Sequence, residues 1–211
     1  MGQKVNPIGF RLGKKYTWKS RWFASHPKDY KENLLEDLRI RRFLSDKLNI
    51  AGLTAIDIER SINKINIKIH VTRPGIVIGR GGSGLEDLKK SLIQLVKIKN
   101  PEKNISLDII EVKDPDLNAQ LVAERIALQI EKRVPHKRVV KKTIERVLSQ
   151  GAKGIKVILS GRIAGAEIGR TEKFFKGTVP LQTIRANIDY ASRPALTKSG
   201  FVGIKVWINK D

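Results

Sequence analysis

Apolar positions recur at helical spacing from Lys31 onward: Leu34, Leu35, Leu38, Phe43, Leu44 and Leu48 predict an amphipathic helix that Gly52 stops. The period then changes to two. Ile56 and Ile58 face one way and Asp57 and Glu59 the other, while Ile65, Ile67, Ile69 and Val71 share a face opposite Asn66, Lys68 and His70. Ser61-Ile62-Asn63-Lys64 between them suits a hairpin turn. After a glycine-rich stretch, Leu85, Leu88, Leu92, Leu95 and Val96 mark another helix, which Asn100-Pro101 ends. Ile105, Leu107 and Ile109 alternate once more, so the order over this stretch is helix, two strands, glycine turn, helix, strand.

Asp114-Pro115-Asp116 reads as a boundary, with Pro115 breaking the strand and Asp116 placed to cap a new helix. Two helical patterns follow, about 117–134 and 136–150. Beyond Gly151-Ala152-Lys153-Gly154 the pattern turns to strands near 155–160, 167–176, 181–190 and 201–208. The fold class is therefore α+β: a first domain over 31–112 with a three-stranded sheet and helices, and a second over 113–211 with two helices on a mostly antiparallel sheet. No period of about 20–50 residues is present, which excludes a solenoid.

Charge changes the picture. The 211 residues carry 42 Lys and Arg against 21 Asp and Glu, a formal charge of +21, where ~2–8 units suffice for solubility in a small domain. Such an excess repels itself in a compact fold and implies an anionic partner. Nucleic acid is the leading candidate, because neutralised phosphates release condensed counterions, and an anionic membrane surface is the rival. No apolar stretch approaches the ~20 residues of a membrane span, the N-terminus lacks a secretory signal, and Asn6 spoils a myristoylation pattern. With no cysteine there is no disulfide or thiolate metal site, as in a reducing compartment. Residues 1–30 read as a basic arm in which Phe10, Tyr16, Trp18, Trp22, Phe23 and Tyr30 alternate with cations, the rings free either to stack on bases or to fold back on the arm's own domain.

The glycine stretch carries the sharpest motif. As Gly79-x-Gly81-x-x-Gly84 it matches a dinucleotide fingerprint, but the preceding Pro74-Gly75 leaves no room for a central strand, and Glu102 falls in a loop. As Gly79-Arg80-Gly81-Gly82 it is the GxxG turn of a KH domain, and the order of elements around it agrees. Glycines there admit a sugar-phosphate backbone to main-chain N–H groups, with Arg80 and the following helix N-terminus adding positive charge. A second feature is the helix from His136, where Lys137, Arg138, Lys141, Lys142 and Arg146 occupy one half of the cylinder and Val139, Val140, Ile144 and Val147 the other; spacing alone fits a solvated face as well as a binding one, but Glu145 is the single acid in the run. Catalytic constellations are missing: His26, His70 and His136 lie in unrelated elements, and Asp57 with Glu59 reads as a solvated strand face. The sequence thus predicts no enzyme, no cofactor and no small-molecule substrate.

Four segments together are specific to one family. They are residues 1–13 (Met-Gly-Gln-Lys-Val-Asn-Pro onward), Arg73 to Gly79, Gly151 to Val157 with Ser160-Gly161-Arg162 and Gly165-Ala166-Glu167-Ile168, and Arg185 to Tyr190 leading to Gly203 to Ile208. In order and spacing they resemble the universal small-subunit ribosomal protein three, in its bacterial or organellar form. The resemblance implies a type II KH domain, a family-specific C-terminal α+β domain, and a seat on the head of the small subunit. Expected partners are small-subunit rRNA, mRNA and small-subunit ribosomal proteins ten and fourteen, in a cytoplasmic ribosome or that of a bacterial-type organelle, with no membrane. RNA contacts fall to Gly79, Arg80, Gly81 and Gly82, to Arg73, and to Arg11, Lys14 and Lys15 of the arm. Lys137, Arg138 and Lys141, with Lys142 beside them, match basic positions that line the channel for incoming mRNA and are implicated in opening structured mRNA. Gly81 stands where a base is usual and Lys137 where arginine is usual, and the charged tail of some relatives is missing beyond Asp211. A free KH-domain regulator of cellular RNAs is the alternative.

Overall fold

The computed structural model describes residues 4–61, 64–96 and 105–210. The middle of the expected hairpin turn (Ile62, Asn63), the Asn100-Pro101 stop, Glu102 and the first three residues lie outside them. The chain divides into two compact units: Trp18–Lys113, and the segment up to Thr17 together with Asp114 onward. The first thirty residues are therefore shared between the units.

The first unit runs β1 (Ser20–Arg21), α1 (Pro27–Lys47), β2 (Leu53–Arg60), β3 (Ile65–Val71), α2 (Pro74–Ile78), α3 (Ser83–Leu95) and β4 (Ile105–Glu111). The sheet order follows the chain, with β2 and β3 antiparallel and β3 and β4 parallel. The two-residue β1 adds a parallel edge to the expected three strands. The alternation in β3 does what its period requires: Ile65, Ile67, Ile69 and Val71 are buried, and the other face carries ion pairs. On that face Lys68 Nζ is 3.0 Å from Glu59 and His70 Nε2 is 3.2 Å from Asp57, so each acid of β2 meets a polar partner across the strand.

Helix α1 departs from the expected face. Leu34, Leu35 and Leu38 are exposed, while Glu36, Asp37, Ile40 and Leu44 point inward. The reason is Arg60 at the end of β2. Its guanidinium is almost wholly buried, 2.9 Å from Glu36 and 2.7 Å from Asp37, and a buried cation needs such partners more than a leucine needs the core. Asp37 also accepts a 2.8 Å hydrogen bond from the Trp22 indole, whose ring packs on Tyr30 at 5.2 Å. That part of the arm folds back on its own unit, whereas Trp18 and Phe23 stay exposed.

In the second unit, α4 (Ala119–Glu131) and α5 (His136–Ser149) precede β5 (Gly154–Gly161), β6 (Arg170–Gly177), β7 (Ile188–Thr197) and β8 (Gly200–Asn209). The sheet order is β6-β5-β8-β7, with every pairing antiparallel. Two expectations fail here. The third strand is Ile188–Thr197 rather than 181–190, because its inward positions are Ala191 and Ala195, too small to register as a hydrophobic run. They share a core with Ala119, Ala123 and Ala127, one small stripe of α4, and β7 tolerates Pro194 because it is an edge strand. The cap of α4 is Asn118, which accepts from the N–H groups of Gln120 and Leu121, and Asp116 instead pairs with Arg125.

Candidate nucleic-acid interface

The GxxG turn is built from two constraints of different kinds. Gly79 closes α2 with φ 71° and ψ −176°, a conformation essentially reserved for glycine. A Cβ there would also lie 3.0 Å from the Gly84 backbone nitrogen, so the missing side chain lets α2 and α3 approach each other. Gly81 and Gly82, at φ 62° and 87°, face open space, and no side chain caps the start of α3. The turn therefore offers bare main chain and an uncapped helix N-terminus, flanked by the exposed Arg73 and Arg80. Backbone approach by a phosphate is open at Gly81 and Gly82, while Gly79 serves the fold.

In the second unit the decisive element is α5. Val139, Val140, Thr143, Ile144 and Val147 are buried, and Lys137, Arg138, Lys141, Lys142 and Arg146 are all exposed. This arrangement costs stability in two ways. Lys137 with Lys141 and Arg138 with Lys142 are like charges four apart, about 0.2–0.5 kcal/mol each. Cations in the first turn also oppose the helix dipole, about 0.3–1 kcal/mol each, and no acid stands there to offset them. Burial of the apolar half, at about 1.5–3 kcal/mol per side chain, carries that load.

The start of α5 is fixed by His136, whose Nε2 lies 2.9 Å from Glu172 on β6; Arg170 Nε is 2.9 Å from the same carboxylate. Partial desolvation works to raise the Glu172 carboxyl, but the hydrogen bonds and charges of His136 and Arg170 outweigh it and hold the group below its ordinary value. Between α5 and β6 runs a groove of about 470 Å³ lined by Lys137, Lys141, Lys173, Phe174 and Lys176, with Glu145 the one acid among the described residues that line it. Lys173 and Lys176 were missed in the sequence, although charges bracketing Phe174-Phe175 in a strand were there to see. The Lys156 ammonium sits over the Trp207 ring at 5.6 Å; desolvation first, then Lys4 and Lys173, push its pKa down.

Arg11 requires a correction. Its side chain is fully buried, and it donates to five carbonyl oxygens: Nε to Ala186 at 2.8 Å, Nη1 to Pro7 at 3.1 Å, and Nη2 to Pro180, Leu181 and Thr183 at 3.3, 3.1 and 2.8 Å. It binds its own chain and is shut off from solvent, so it does not face RNA. Lys14 and Lys15, in the adjoining loop, are exposed.

Comparison with known proteins decides the family. The model for the ribosomal protein S3 C-terminal domain matches residues 126–208, and that for the KH domain matches residues 39–117. Small ribosomal subunit protein uS3 of Clostridioides difficile is 53% identical over 208 residues, 99% of this chain and 75% of that protein. The chain belongs to the ribosomal protein S3 family. The uS3 proteins of Caldanaerobacter subterraneus subsp. tengcongensis and Lactobacillus helveticus are 51% and 50% identical over 210 residues, the whole of this chain and 92% and 91% of theirs. The KH domain followed by a C-terminal α+β domain, expected from the sequence, is what the fold and the family models give. Among the described residues no helix is long and apolar enough to cross a membrane.

Proposed function

We propose that this chain is a structural component of the small ribosomal subunit that binds its rRNA and lines, with the exposed half of α5, the channel through which mRNA enters. The observation that carries the reading is the five-cation stripe of α5, kept at a cost to helix stability and fixed on a rigid sheet. Lys137, Arg138, Lys141 and Lys142 act on passing phosphates as point charges and a guanidinium fork, independent of sequence. Opening structured mRNA then follows from holding one strand while the ribosome moves, so its energy comes from translocation and the chain's part is electrostatic, not catalytic. The open turn at Arg80, Gly81 and Gly82, with Arg73, and the exposed Lys14 and Lys15 supply rRNA contacts. Ribosomal proteins ten and fourteen of the small subunit are the proposed protein neighbours, in the ribosome of a bacterium or a bacterial-type organelle.

Charge reversal at Lys137, Arg138 and Lys141 separates the roles. The variant is expected to sediment with small subunits and their rRNA, while translation slows selectively on mRNA with a stable hairpin downstream. Equal slowing on structured and unstructured messages would remove the channel role. Failure of the unaltered protein to sediment with the small subunit would remove the ribosomal one.

A further inference from the structure

Beside the N-terminus of α5, within the second unit, lies a cavity of about 570 Å³ that none of the readings above uses. Its size falls in the ~300–1,000 Å³ range of small-ligand sites. The floor is apolar, from Ile130, Val134, Ile163 and Val202. The rim is cationic, from Arg133, Lys137, Arg162 and Lys198, and among the described residues no acid lines it. Arg162 is held in place by its Nε bond of 2.8 Å to the Ala166 carbonyl. The two non-glycine residues with left-handed backbone among the described residues, Arg133 at φ 60° and Ala164 at φ 57°, both line this cavity. Strain of that kind concentrates where a site must be shaped.

We propose that this cavity takes one unstacked nucleotide of a single RNA strand, its base on the apolar floor and its phosphate among Arg133, Lys137 and Lys198. The inference rests on the reading that α5 meets RNA. Lys137 lines both this cavity and the lysine groove between α5 and β6, so a strand lying in the groove has one base within reach of the floor. Apolar surface next to unopposed cations complements a base joined to a phosphate, as in single-strand sites where bases leave the stack.

The test is titration of the full chain with AMP, ribose 5-phosphate and a uridine oligomer of about ten nucleotides, followed by amide NMR. AMP is expected to shift Arg133, Ala164, Gly165 and Ser199 and to bind about tenfold more tightly than ribose 5-phosphate. Val134→Trp, which fills the cavity without removing charge, should abolish that difference; Lys173→Ala, in the groove but not in the cavity lining, should weaken the oligomer more than AMP. Equal binding of AMP and ribose 5-phosphate overturns the base pocket. So does an oligomer that shifts groove residues while AMP shifts nothing, an outcome that leaves the RNA reading of α5 intact. Silence from both ligands removes that reading as well. As a check that does not depend on Val134→Trp folding, a photo-crosslinker at Thr197 in assembled small subunits should join RNA; a crosslink to protein assigns the cavity to a partner chain and overturns the proposal.

Discussion

Replacing Arg11 by alanine removes a buried side chain that ties the N-terminal segment to the loop after β6. Five carbonyl oxygens, those of Pro7, Pro180, Leu181, Thr183 and Ala186, lose their donor in a place with no solvent access to the side chain they faced. A hydrogen bond with a charged partner contributes about 1.5–3 kcal/mol, and an orphaned buried acceptor costs about 1–3 kcal/mol. The gross loss is reduced because the guanidinium no longer has to be desolvated, and because water can enter the vacated volume and satisfy some carbonyls. A net destabilisation of about 3–5 kcal/mol follows, at the upper end for a single substitution. Arg11→Lys keeps the charge but cannot reach five acceptors from one ammonium, so it should recover less than half.

The assay is urea unfolding of the full chain, with hydrogen exchange assigning each transition to its unit. The second unit should lose midpoint and the first should not move. Exchange should rise first in the segment around Tyr16, whose hydroxyl bonds Asn187 at 3.0 Å, and around Thr183–Ala186. A change below about 0.5 kcal/mol, the range of ordinary surface substitutions, would refute the reasoning and return Arg11 to the list of RNA contacts.

Other consequences are smaller. Gly79→Ala combines a glycine-only conformation with a clash against the Gly84 backbone and should cost the first unit about 2–4 kcal/mol; Gly81→Ala meets open space and should cost about 1 kcal/mol, a difference chemical denaturation resolves. Asp37→Ala leaves Arg60 with Glu36 and Asn33 and takes the acceptor from the Trp22 indole, and should cost about 2–4 kcal/mol, with Trp22 fluorescence shifting to the red; an unshifted spectrum would contradict the contact. The Glu172 carboxyl is lower in the folded than in the unfolded chain, so the unfolded state binds more protons and stability rises with pH. Its contribution is complete above the unfolded carboxylate value, near 4.3, and fades as pH falls through the folded one. Glu172→Gln should flatten the acid limb of the second unit's stability profile, and an unchanged limb would dismiss the bridge to His136.

What the sequence made legible was whatever obeys a strong period. The β3 alternation and the two-sided α5 read directly, because one face of each is uniformly apolar. The GxxG turn read directly because glycine is needed there. Where packing inverts composition, the sequence pattern misleads: α1 turns carboxylates inward for Arg60, and β7 faces α4 with alanines. Arg11 shows the same limit. In a basic arm every arginine resembles a phosphate ligand, and only tertiary structure reveals that five carbonyls converge on this one.

That contrast extends to how the cations are divided. Arg11, Arg41, Arg60, Arg125 and Arg162 are held by hydrogen bonds inside their own unit, where a rigid planar fork can satisfy several acceptors at once. The cations of the groove beside α5 are instead all lysines: Lys137, Lys141, Lys173 and Lys176. A lysine is a mobile, strongly hydrated point charge that can follow phosphates without fixing their geometry. A surface that must hold a strand yet let it slide is better served by such contacts than by bidentate forks. The division therefore predicts that Lys137→Arg strengthens retention of single-stranded RNA while slowing its passage, measurable as slower dissociation of an oligonucleotide at constant salt. Faster or unchanged dissociation would mean that the choice of lysine in the groove has no bearing on sliding.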